Sequence, residues 1–104
     1  MQRIAVKMIL KQGYAEEYKR RHSALWPELE ILLKESGISD YAIYLDEETN
    51  ILFACLKVKD ATALDRLPSQ AVMQRWWNYM KDIMDSYPDN SPVTFPLKEV
   101  FYMA

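Results

Sequence analysis

Residues 51–58 read ILFACLKV, and this short apolar run constrains the fold more than any other feature. On a strand, successive side chains point to opposite faces. Leu52, Ala54 and Leu56 would share one face; Ile51, Phe53 and Cys55 would share the other. Both faces of such a strand are apolar, and both need cover from water.

The rest of the chain supplies cover for one face. In RIAVKMILK (3–11), Ile4, Val6, Met8 and Leu10 alternate with Arg3, Lys7 and Lys11. That is a half-buried strand, closed by a turn at Gly13. From Tyr14 to Ser36 the period becomes helical, with Tyr14, Tyr18, His22, Leu25, Leu29 and Leu32 on one drifting stripe. Pro27 interrupts it, either kinking one helix or opening a second. Gly37 stands where a helix C-terminal cap is expected. ISDYAIYLD (38–46) alternates again, with Tyr41, Ile43 and Leu45 on one face, and EETN turns it back into 51–58 as a hairpin. A second helical region starts at Asp60 and is divided by Pro68-Ser69. Ser69 is the expected N-cap of a helix running to about Met84. Its broad apolar face carries Val72, Met73, Trp76, Trp77, Met80, Ile83 and Met84. A proline-rich loop (87–96) then leads to a last strand, KEVFYM (98–103).

The order βαββαβ predicts a ferredoxin-like α+β fold, a four-stranded antiparallel sheet with its helices on one face. The opposite, apolar face predicts a partner, most simply a second copy of the chain, giving a homodimer in the form of a dimeric α/β barrel.

With 104 residues, the chain suits a single domain spanning 1–104. A net charge of -2 gives no electrostatic argument for nucleic acid or an anionic membrane. The cluster Lys19-Arg20-Arg21 reads as a solvated helix face, as do Glu16, Glu17 and Glu28. Two glycines are too few for a P-loop or a Rossmann fingerprint. The single cysteine, Cys55, permits no intramolecular disulfide, and with one histidine there is no zinc ligand set. Its apolar neighbours predict a buried thiol. MQRIAVKMILK is broken by Lys7 and has no small-residue cleavage site, and no run is long enough to span a bilayer. A cytoplasmic protein is expected.

Few residues can carry chemistry. His22 is the only histidine, able to exchange protons near neutral pH. It lies one helical turn after Tyr18. Spacing alone leaves it open between a packing histidine and a proton-transfer group. The adjacent Trp76 and Trp77 point about 100° apart on a helix, so one fits the core and the other falls at its edge. Two core residues, or one core residue and one pocket wall, both fit the pattern. Aromatic walls stack on the C–H faces of sugars, and indole N–H groups reach hydroxyls. Tyr41 would need a partner for its hydroxyl if buried.

The strings EEYKRRHSALWPELE, DYAIYLD, QRWWNYMKDIM, PDNSPV and EVFYM together resemble the L-rhamnose mutarotase family, in the same order and over nearly the whole chain. Asp40 departs from the pattern, where an asparagine-like residue is expected. The resemblance implies a dimeric α/β barrel that interconverts the α and β anomers of L-rhamnose without a cofactor or metal. It implies His22 as proton donor, and Tyr18, Tyr41, Trp76 and Trp77 as sugar-binding residues. The mechanism expected has protonated His22 giving its proton to the ring oxygen, while Tyr18 or a water relays the anomeric proton. Two rival readings are a cofactor-independent monooxygenase of the same barrel class and a non-catalytic sugar-binding barrel.

Overall fold

The computed structural model describes residues 1–104. Strand β1 (Gln2–Ile9) is followed by helices α1 (Ala15–Ser23) and α2 (Pro27–Glu35). The hairpin β2 (Ile38–Asp46) and β3 (Ile51–Val58) comes next, then a 3-10 run (Ala61–Ser69), helix α3 (Ala71–Met80) and a two-residue strand β4 (Phe95–Pro96). The sheet is antiparallel in the order β2-β3-β1-β4, the ferredoxin-like arrangement. β3 is thus flanked on both sides, paired with β1 from Ile9↔Ile51 to Gln2↔Val58.

Local chemistry sets the element ends. Pro27 takes the first turn of α2, where its fixed φ fits and its missing N–H is no loss. Gly37 follows α2 with φ +84, and a Cβ there would lie 3.2 Å from the Cβ of Lys59. In the hairpin turn, Asp46 accepts from the Glu48 N–H at 3.1 Å and the Thr49 hydroxyl at 2.9 Å, and Asn50 takes φ +60, a region asparagine tolerates.

One face of the sheet meets the helices. Leu52 and Ala54 of β3 and Met8 of β1 pack with Leu29 of α2, Met73, Trp76 and Met80 of α3, and Ile83 and Met84 beyond it. Each fully buried aliphatic side chain of this kind contributes about 1.5–3 kcal/mol relative to exposure.

Several expectations need correction. Ser69 does not cap α3: its hydroxyl donates to the Arg66 carbonyl at 2.7 Å, and the N-cap is Gln70 without a side-chain bond. The helix stops at Met80, short of Met84. Ile83 and Met84 are still buried, because the chain turns there and bridges to β1's extension at Leu10 and Lys11. Cys55 is exposed. Its parity puts it with Phe53 and Tyr44 on the face that no helix covers.

The last strand is also misplaced. Pairing with β1 involves Phe95 and Pro96, plus the Leu97 N–H donating to the Ala5 carbonyl at 2.9 Å. Residues 98–103 form no ladder. Side chains hold this stretch along β1: Arg3 pairs with Glu99 at 2.7 Å and lies over the Tyr102 ring at 3.3 Å. Val100 and Phe101 are 88% and 79% exposed, since one copy of the chain offers them nothing apolar to pack on. No helix is long and apolar enough to cross a membrane.

Candidate active site

Helix α1 has Glu16 and Glu17 in its first turn and Arg20, Arg21 and His22 in its last, the charge order that suits the helix dipole. Tyr18 and His22, four apart, lie one above the other. Their rings stack at 4.2 Å between centroids with planes 25° apart. His22 Nδ1 sits 3.0 Å from the Tyr18 carbonyl oxygen. A carbonyl only accepts, so Nδ1 carries the hydrogen, and the neutral ring has its lone pair on Nε2.

Nε2 bonds to no protein group, and nor does the Tyr18 hydroxyl. No sealed side-chain polar atom is left without a partner, so neither atom is wholly closed off from solvent. Burial pushes the His22 pKa below its ordinary value, and the backbone bond only partly opposes this. Burial also pushes the Tyr18 phenol well above its ordinary value, with Tyr41 adding to the effect. Near neutral pH the pair is an uncharged imidazole and an uncharged phenol.

Tyr41 reaches this side of the sheet through a bulge. The β2–β3 register shifts between Ser39 and Ala42, and Asp40 takes φ +48. That conformation disfavours most side chains but admits asparagine and aspartate. Tyr41 keeps 45% of its surface exposed, yet burial raises its phenol pKa. The crowded part of the residue is therefore its hydroxyl end.

Helix α3 supplies the tryptophans. Trp76 is buried and presents an edge contact to His22, with centroids 5.3 Å apart and planes at 89°. Trp77 is half-buried and packs against the core from its margin. It joins none of the ring pairs around His22, so of the two tryptophans only Trp76 is in ring contact with the histidine.

Two aromatic neighbours were not anticipated. Trp26 meets Trp76 edge-on at 5.1 Å and stacks on Tyr79 at 5.6 Å. Tyr79 also meets Trp76 at 5.7 Å. The four-residue spacing of Tyr18, His22 and Trp26 was a usable signal, masked by the break before Pro27. Two cavities of about 370 and 400 Å³ lie elsewhere, one between α2 and the 3-10 run and one beside the C-terminal stretch. Neither includes any of these rings. The candidate site is therefore placed by the titratable histidine and its ring neighbours rather than by cavity volume.

The sequence profile described as L-rhamnose mutarotase matches residues 3–103. The chain belongs to the L-rhamnose mutarotase family. An L-rhamnose mutarotase of Bacteroides thetaiotaomicron is 54% identical, with 99% of each chain covered. One from Phocaeicola vulgatus is 52% identical, again over 99% of each chain. The crystal structure of L-rhamnose mutarotase FA22100 from Formosa agariphila superposes with a TM-score of 0.94 at 50% identity, covering 100% of both chains.

Within this mutarotase-family fold, the basic cluster of α1 divides in two. Lys19 and Arg20 are exposed, as expected. Arg21 is buried, pairing with Glu17 at 2.7 Å and Asp82 at 2.9 Å. Hydrogen bonds from Arg20 and then Arg21 hold the Glu17 carboxyl down at about 2.

The depressed His22 pKa has a consequence for stability. Between 6.5 and the lower folded value, the unfolded chain binds more protons than the folded one. Stability from this group is therefore present above 6.5 and is lost as pH falls through that window. The urea midpoint is expected to drop between pH 7.5 and pH 5.5, and His22→Gln is expected to flatten that dependence. An unchanged slope in the variant would show that another group is responsible.

Proposed function

We propose that this chain, acting as one domain over 1–104, interconverts the α and β anomers of L-rhamnose, with His22 as its catalytic residue. The carrying observation is the state of His22: Nδ1 engaged, Nε2 open, and the ring uncharged at rest. Membership of the family supplies the substrate.

Ring opening removes a proton from the C1 hydroxyl, breaks the bond between C1 and the ring oxygen, and adds a proton to that oxygen. The aldehyde then rotates about C1–C2 and recloses on its other face. Both oxygens are bonded to C1, so one nitrogen can serve both. The neutral resting ring alters the order of events expected from the sequence. Nε2 first takes the anomeric proton and then, as imidazolium, gives it to the ring oxygen. Reclosure reverses the two transfers. Tyr18, whose phenol resists ionisation, makes a poor proton relay and instead donates a hydrogen bond to a sugar oxygen. Tyr41 binds the sugar in the same way from β2. Trp76 and Trp77 provide aromatic surface for its C–H groups and methyl.

The exposed sheet face, carrying Phe53, Tyr44 and Cys55, supports a homodimer that closes two sheets into a barrel. An exposed free thiol suits a reducing compartment, in keeping with a cytoplasmic location.

NMR saturation transfer between the two anomeric protons of L-rhamnose tests the activity directly. Protein-dependent exchange is expected, and His22→Ala is expected to lower it about 10²–10⁴-fold while sugar binding stays measurable. Full activity in that variant would remove His22 from the mechanism, and binding without faster exchange would favour a sugar-binding barrel. Trp77→Ala is expected to weaken rhamnose binding with the fold intact, whereas global unfolding would make Trp77 a core residue only. Sedimentation is expected to give a dimer at micromolar concentration; a persistent monomer would count against the barrel.

A further inference from the structure

Arg21 is the only charged residue buried in this chain, 8% exposed, and it immediately precedes His22. Four of its five N–H groups donate to oxygen acceptors. Nη1–H donates to the Tyr79 carbonyl at 2.8 Å and to Asp82 Oδ1 at 2.9 Å. Nη2–H donates to Asp82 Oδ2 at 3.2 Å, and Nε–H donates to Glu17 Oε2 at 2.7 Å. The group also lies over the Tyr79 ring, with Cζ 4.3 Å from the centroid.

Burying a guanidinium is costly, and well-packed apolar side chains could join two helices without that cost. A planar fork adds registry: two parallel bonds to one carboxylate fix both distance and angle. Here the fork binds the last turn of α1 to the end of α3, at Tyr79 and Asp82. Those same two stretches carry the rings that meet at the site. His22 is the next residue on α1, and Trp76 lies one turn before Tyr79 on α3. Tyr79, held by its carbonyl and its ring face, packs in turn on Trp26 and Trp76.

We infer that Arg21 is a positioning residue for proton exchange, locking α1 onto the end of α3 so that the His22 ring is held at a fixed angle against Trp76. This rests on the reading of His22 as the proton-exchanging group. Lysine keeps the charge but offers a point donor in place of a fork, so Arg21→Lys separates charge from geometry.

His22 is the only histidine, so its ring gives one set of NMR signals, shifted by the neighbouring Tyr18 and Trp76 rings. In Arg21→Lys those shifts are expected to move. The kcat for anomer exchange per folded molecule is expected to fall roughly 10- to 100-fold, with KM nearly unchanged. Asp82→Asn weakens the same tie from a side chain that is 62% exposed, and the same changes are expected at smaller size. If Arg21→Lys does not fold, Asp82→Asn decides alone. Unchanged His22 shifts overturn the inference whatever the activity, and so does an unchanged kcat per folded molecule. Wild-type protein that fails to exchange rhamnose anomers would remove the functional reading, while the His22 shifts still decide whether Arg21 sets the ring.

Discussion

A strand with apolar side chains on both faces cannot lie at the edge of a solvated sheet. β3 is such a strand, and the structure places it between β1 and β2. Leu52, Ala54 and Val58 are buried, and the helices pack onto that face. This burial fixes the register, because a slip by one residue would turn every core side chain outward. The register in turn fixes the site. Tyr41 reaches the helix side because the bulge at Asp40 falls where it does. α2 and α3 pack beside one another on that face, and the last turn of α1 meets α3 through the His22 and Trp76 rings.

The candidate site lies at the margin of this core. Tyr18 and Trp76 are nearly as buried as the aliphatic residues beneath them, yet polar atoms on Tyr18 and His22 remain unpaired by protein. A core that left such atoms sealed would be destabilised. Leaving them unsealed, while desolvating the groups that carry them, favours an imidazole that stays uncharged and phenols that stay protonated. Packing and proton chemistry are thus set by the same contacts.

The periodicities made the fold class legible. The alternation in 3–11 and the paired runs at 38–46 and 51–58 needed no tertiary information. The ends of elements were harder. Ile83 and Met84 continue the apolar spacing of α3, but their burial comes from a turn docking on Leu10 and Lys11, a long-range contact that local spacing does not encode. KEVFYM has strand-like composition, yet a ladder needs backbone pairing, and beyond Ala5 the stretch is held to β1 by the Arg3 side chain on Glu99 and Tyr102 instead. Of the site, the stacked Tyr18 and His22 followed from four-residue spacing. The Trp76 and Trp77 spacing left two core rings or one core and one marginal ring open, and the structure has Trp76 buried and Trp77 half-buried. Arg21 was hidden among three consecutive basic residues, because its partners Tyr79 and Asp82 are remote in sequence.

The sheet order also constrains how the chain comes into being. β2 and β3 are joined by a four-residue turn, so their pairing is local and available early. β1 is different. Though made first, it has no backbone partner until Ile51 and its successors have left the ribosome. Until then Ile4, Val6 and Met8 form an unpaired apolar edge, of the kind that chaperones hold during synthesis. Lys7, set among them on the opposite face, keeps that edge charged while it waits.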